Sequence, residues 1–208
     1  MKSRVTVCLL MAVLILGSAM AASAQAAEEE QPTQPRFKIG FYWEGFQIND
    51  KNLTKFYGQF QKNPLGFEAS AHTLYNIDVW ASYRTFGLET KTTFDGHDVK
   101  FRLKAASLGV IYRPTTFGLF EPFIGAGLEF YSYSETIGAE SDIPGTSGNV
   151  VGFHIQIGTY VDITDFLAGK VFVRLNGAKK TLADPLPDDG TKLDLGGKEF
   201  GLGLLFRF

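Results

Sequence analysis

The sequence predicts an all-β protein, an eight-stranded antiparallel up-and-down transmembrane β-barrel. Three observations predict it. From residue 36 onward, apolar residues recur with a period of two and no long helical period interrupts them. The strand-like segments number eight, and most of their connections alternate between short and long. Glycines and charges of both signs gather on one parity, and the opposite parity is almost free of charge.

The chain opens on "MKSRVTVCLLMAVLILGSAMAASAQA". Lys2 and Arg4 make a positive start, Val5 to Leu16 a short apolar run, and Ala22-Ser23-Ala24 a small-residue cleavage site. Residues 1–24 therefore read as a secretory signal peptide, since the apolar run is short for a membrane span. Cys8, the only cysteine, lies within it, so the mature chain is expected to carry no thiol and no disulfide. Losing Lys2 and Arg4 takes the net charge from -2 to about -4. No basic stripe suggests nucleic acid. Residues 25–35, with "AEEEQPTQP", read as a flexible acidic lead. Residues 36–208 fit one domain.

The eight segments are Arg36–Phe46, Leu65–Tyr75, Ile77–Thr92, Val99–Arg113, Glu121–Glu135, Val150–Ile163, Leu167–Lys179 and Leu193–Phe208. Short links such as "YNI", "PTTFGLF" and "TDF" join second to third, fourth to fifth and sixth to seventh. Long polar links, among them "TIGAESDIPGTSGN" and "TLADPLPDDGTK", fall at the other end, together with the brief "FDGHD". A helical turn is expected at Asn52–Tyr57. Short turns at one end and long loops at the other are the pattern of a transmembrane barrel. Each segment reaches the roughly 9–11 tilted residues that a crossing needs.

Alternation alone leaves open whether the apolar face lines a soluble, lipocalin-like barrel or meets lipid. Glycine and charge favour lipid. Gly40, Gly125, Gly127, Gly152, Gly158, Gly201 and Gly203 share the less apolar parity, where a narrow barrel needs small residues beside large ones. The same parity carries Lys38, Glu44, Glu68, Asp78, Glu129, Asp162, Lys170, Arg174, Glu199 and Arg207. Arg84, Arg102, Lys104 and Arg113 are expected to join them, if bulges near Arg84 and Ala105 switch the parity of the third and fourth strands. Charges in a barrel interior must pair or meet water. The opposite parity holds Phe37, Ile39, Phe41 and Trp43, then Val151, Phe153, Ile155 and Ile157, with similar runs elsewhere. Aromatics near the strand ends suggest interfacial girdles: Trp43, Phe46, Tyr131 and Tyr133 at the loop end, Phe120, Phe123, Phe166 and Phe208 at the turn end.

With its signal peptide, the segment "EPFIGAGLEFYSYSE" and the closing alternation Phe200, Leu202, Leu204, Phe206, Phe208, the chain resembles the outer-membrane β-barrel domain family of Gram-negative bacteria, the small porin-like barrels. The resemblance spans 36–208. It implies residence in the cell outer membrane, contact with outer-membrane lipids and delivery by the barrel-insertion machinery. It also implies that Phe208, with Phe206 on the same face, belongs to a C-terminal assembly signal. It implies architecture more than activity, because members include structural proteins, adhesins, narrow pores and a few lipid-modifying enzymes.

Catalysis is not expected. His97 lies in a loop; His72 and His154 point inward, and a regular hairpin across Thr136–Asn149 would set Tyr131 opposite His154 and Glu129 opposite Gln156. Hydrogen bonding in the lumen explains these residues without a nucleophile and base. Asp184, Asp188, Asp189, Glu140 and Asp142 lack calcium-loop spacing and read as solvated loops, with weak divalent binding left open. No cofactor is expected. Eight strands leave an interior just filled by side chains, so bulk diffusion is not expected either. The sequence thus points to a non-enzymatic, monomeric barrel with a structural or surface-interaction role through its loops. The alternative is a narrow channel or transporter for small or hydrophobic solutes.

Overall fold

A computed structural model describes residues 36–49, 61–73, 75–91, 98–114, 116–137, 147–181 and 192–208. The signal peptide, the acidic lead, the helical turn at Asn52–Tyr57, His97 and the acidic loop residues named above lie outside the described residues. Eleven strands follow in order: β1 (Phe37–Ile48), β2 (Gln61–Lys62), β3 (Leu65–His72), β4 (Ile77–Lys91), β5 (Asp98–Tyr112), β6 (Phe120–Ile137), β7 (Ser147–Thr164), β8 (Leu167–Gly177), β9 (Lys179–Thr181), β10 (Lys192–Asp194) and β11 (Gly197–Arg207). The sheet runs β11-β8-β7-β6-β5-β4-β3-β1 and closes through an antiparallel β1–β11 pairing. The fold is a closed eight-stranded antiparallel barrel, with β2, β9 and β10 as short extensions at the long-loop end.

Closure removes the sheet edges that would otherwise carry unpaired amides into hydrocarbon. The seam is continuous from Lys38↔Arg207 to Ile48↔Gly197. Phe37 and Phe208 exchange backbone hydrogen bonds of 3.1 and 2.9 Å, so the pairing runs to the last residue. At the opposite rim the expected seventh and eighth strands each divide. β8 gives way to β9 at Ala178, and β10 to β11 at Leu195–Gly196; Leu195 donates to the Ala178 carbonyl at 2.8 Å across the gap. Tyr75 and Asn76 adopt φ of 52° and 63°, the left-handed pair that a tight β3–β4 turn requires.

Burial alternates along most of the spanning strands and is inside-out. Ile39, Phe41, Trp43, Val151, Phe153, Ile155 and Ile157 are exposed, whereas Lys38, Glu44, Glu129, Lys170 and Arg174 are at most 1 % exposed. The glycine parity faces inward as expected. A side chain at Gly201 would collide with the Phe172 ring, and one at Gly66 with Tyr42. These glycines let Phe172 and Tyr42 cross the interior and meet edge to face, their centroids 5.7 Å apart.

Three expectations need correction. No bulge occurs near Arg84 or Ala105: β4 and β5 pair without a break from Ile77↔Tyr112 to Lys91↔Asp98. Arg84 and Arg113 are buried inside, but Arg102 and Lys104 are exposed on the outer wall. The strands keep their parity and run beyond the apolar band, so polar residues take the outward positions there. The β6–β7 hairpin also extends further than expected, to Ser134↔Ser147, which sets Tyr131 opposite Val150, Gly127 opposite His154, Glu129 opposite Gly152 and Gly125 opposite Gln156. Lastly, Trp43, Phe120, Phe166 and Phe208 face outward as girdle residues should, but Phe46, Phe123, Tyr131 and Tyr133 point inward and pack the lumen. Proximity to a strand end does not override parity.

Candidate functional site

Inward positions of all eight spanning strands place polar side chains along the barrel axis, in two groups. At the turn end, Asp78 of β4 accepts from Lys38 of β1 at 3.0 Å and from Arg113, just past β5, at 2.8 Å. Arg113 also pairs with Glu121 of β6, and Arg207 of β11 bridges Glu121 at 3.3 Å and Asp162 of β7 at 2.6 Å. His72 of β3 lies 3.0 Å from Asp78. Three cations therefore face three carboxylates, and Asp162 opens partly to solvent at the rim.

Higher in the barrel, Arg84 of β4 reaches three carboxylates: Nε lies 3.1 Å from Glu44, Nη1 2.6 Å from Glu129, and Nη2 donates to Glu199. Arg174 of β8 holds the other Glu199 oxygen at 3.0 Å and lies 3.8 Å from Glu44. The Tyr131 hydroxyl and Ser107 donate to Glu129 at 2.8 and 3.2 Å. Between the groups, Lys170 bonds Glu68 at 2.6 Å, and the Trp80 indole donates to the same oxygen at 2.8 Å. The Arg174 guanidinium lies 5.0 Å from the centroids of both Trp80 and Phe172, and the Lys170 ammonium 4.7 Å from Phe172. His154 stands edge-on to Trp80, 5.2 Å between ring centroids.

The eleven charged and histidine positions expected in the lumen, Lys38, Glu44, Asp78, Arg84, Glu129, His154, Asp162, Lys170, Arg174, Glu199 and Arg207, all face inward. Sequence reasoning missed Glu121, which ties Arg113 to Arg207, and Asn176, which donates to Glu199. Glu121 shares the odd parity of Glu129 on one strand, which is the signal that could have found it. Phe206 and Phe208 are outward on the lipid side, 38 % and 70 % exposed.

Above Arg84 the interior changes character. Phe46, Ile48, Phe86, Leu88, Phe101, Leu103, Tyr131, Tyr133, Val150 and Leu195 form one buried apolar cluster at the long-loop end. The unbroken alternation Arg84, Phe86, Leu88 carries it, and the expected bulge had concealed it. Chemically the lumen is an ionic plug beneath a packed apolar cluster. Among the described residues, no group of three His, Cys, Asp or Glu side chains is arranged to hold a metal ion.

A closed barrel, apolar outside and ionic inside, spans a membrane, and residues 12–208 match the model of the outer membrane protein beta-barrel domain. The chain belongs to that family. It is an outer-membrane protein, and its apolar wall meets the lipids there. Solved structures with the same fold include Neisserial surface protein A, with TM-score 0.60 and 15% identity over 83% of this chain and 97% of that one. Outer Membrane Protein W of E. coli gives 0.51 and 16% over 86% and 100%. Ail, the attachment invasion locus protein of Yersinia pestis, gives 0.50 and 12% over 83% and 96%. No curated protein matches the chain by sequence.

Proposed function

We propose that this protein is a non-conducting, non-enzymatic barrel that serves the outer membrane structurally and presents its long connections to external ligands. The observation that carries the reading is the ionic plug. Arg84 and Arg174 draw Glu44, Glu129 and Glu199, from three different strands, onto the axis with none more than 1 % exposed. An eight-strand interior has room for little else. Taking these charges from water is costly, and pairing at best balances that cost. What the pairs provide is a filled, rigid cylinder, the kind of scaffold on which binding loops are held. Ail, solved in complex with the heparin analogue sucrose octasulfate, supports a surface-interaction role at the level of a shared fold. Planar-bilayer recording tests the reading: purified protein should insert without steady openings, and a reproducible unitary conductance would overturn it.

The apolar cluster above Arg84 favours a second reading, in which the mouth receives a small hydrophobic solute and passes it sideways or inward. Phe86, Phe101, Leu103 and Tyr133 would line that path. Quenching of protein fluorescence by an apolar aromatic probe, lost on Leu103→Asp substitution, would support this role over the purely structural one.

A further inference from the structure

On the outer wall, four adjacent strands change polarity along one line of paired residues. Tyr83, Ala106, Phe130 and Val151 stand abreast on β4, β5, β6 and β7 and end the apolar band. One outward position higher, Thr85, Lys104, Ser132 and Asn149 stand abreast; one higher again, Gly87, Arg102, Ser134 and Ser147. All eight are exposed. From Phe120 to Phe130 on β6 the strand rises about 33 Å, or about 25 Å once tilted by about 40°, which is the height of the apolar band of such barrels. Lys104 and Arg102 therefore sit at outer-leaflet headgroup level, the second about 5 Å above the first.

Lys100, next above on β5, lies 3.1 Å from Glu89, and Lys91 3.8 Å from Asp98. Among the described residues no ion pair joins Arg102 or Lys104 to a carboxylate. Their cross-strand neighbours are the hydroxyls Thr85, Ser132 and Ser134 and the bare Gly87, where a Cβ would meet only the Arg102 stem and a carbonyl oxygen at 3.7 Å or more. Lys179 and Lys198, exposed cations at this end away from β5, lie on different strands. Two adjacent cations with no carboxylate partner among the described residues, flanked by hydroxyl donors, open beside a glycine and set directly over an acyl-facing wall, suit one kind of occupant.

We propose that Arg102 and Lys104, with Ser132 and Ser134, bind the phosphate of an anionic outer-leaflet glycolipid whose acyl chains lie against Leu108 and Phe130. The guanidinium and ammonium supply charge-assisted hydrogen bonds to phosphate oxygens, and the apolar band beneath fixes the lipid's depth. A free phosphate in solution lacks that second anchor.

The test uses the purified full barrel in neutral detergent, with native mass spectrometry of lipid A added at a fixed ratio. R102Q/K104Q should retain bound lipid A about 30-fold less than the unmodified protein, while K179Q/K198Q, which removes the same charge elsewhere, should retain it fully. Dephosphorylated lipid A should bind the unmodified protein as weakly as phosphorylated lipid A binds R102Q/K104Q. Unboiled gel mobility verifies that each variant is folded. Equal retention by R102Q/K104Q, equal loss in both double variants, or full displacement of lipid A by millimolar inorganic phosphate would overturn the proposal. These outcomes are independent of conductance, so they separate from the proposed structural role.

Discussion

Replacing Arg84 with methionine probes the plug at its most connected point. The side chains have similar length, so the cylinder stays filled while the charge goes. Arg84 contacts Glu44 at 3.1 Å, Glu129 at 2.6 Å and Glu199, all essentially without solvent. Without it, Arg174 still holds Glu199 at 3.0 Å and lies 3.8 Å from Glu44, but Glu129 keeps only the Tyr131 and Ser107 hydroxyls. Removing one partner from a buried ionic cluster costs about 3–5 kcal/mol, because the remaining charge is left uncompensated. We expect R84M to lose that much in urea unfolding from phospholipid vesicles, followed by the fluorescence of Trp43 and Trp80. R84M/E129Q should recover part of the loss, since it removes the orphaned carboxylate together with the cation. A loss in R84M below about 1 kcal/mol, the range of exposed surface pairs, would show that water reaches Glu129 and that the plug is not dry.

Further outcomes follow from the same geometry. Ile155→Arg places a cation on the lipid-facing wall and should cost about 2–4 kcal/mol in vesicles, read from the same urea transition. Gly201→Val drives a side chain into the Phe172 ring and should cost about 1–3 kcal/mol as overpacking; adding Phe172→Leu should relieve it in a thermal melt of the detergent-solubilised barrel. Phe208→Ala should lower the amount of barrel inserted in cells, measured by outer-membrane fractionation, while the inserted fraction keeps its thermal midpoint. Phe208 is 70 % exposed, so its part in packing is small and any insertion defect reports recognition during assembly.

The closed barrel was legible because each spanning strand had to satisfy two media at once. Ile155, Ile157 and Val151 on one parity and Glu129, Arg174 and Lys170 on the other leave no soluble arrangement that suits both. The inward ionic positions followed from that parity alone. Their partners did not: that Arg84 meets Glu199, far off in the chain, depends on the tilt and stagger that close β1 on β11. The reading went astray where the medium changes within a strand. Arg102 and Lys104 looked like lumen residues displaced by a bulge, because charge was equated with the interior. They are outward residues above the apolar band, and their strand neighbours Phe101 and Leu103 turn the upper lumen apolar. Hairpin register was the other weak point. Thr136 and Ser147 look like loop residues, yet they extend the ladder beyond the apolar band, where a strand needs no greasy face.

Site-directed spin labelling along β7 and β5 in vesicles tests the central claim most directly. With Cys8→Ser, single cysteines at Ile155 and Ile157 should give labels readily relaxed by oxygen and shielded from a water-soluble nickel complex. A label at Gln156 should be shielded from both, and one at Arg102 open to nickel. Labels at Ile155 and Ile157 that are buried from oxygen, with Gln156 open to nickel, would place the oily face inside and contradict the account.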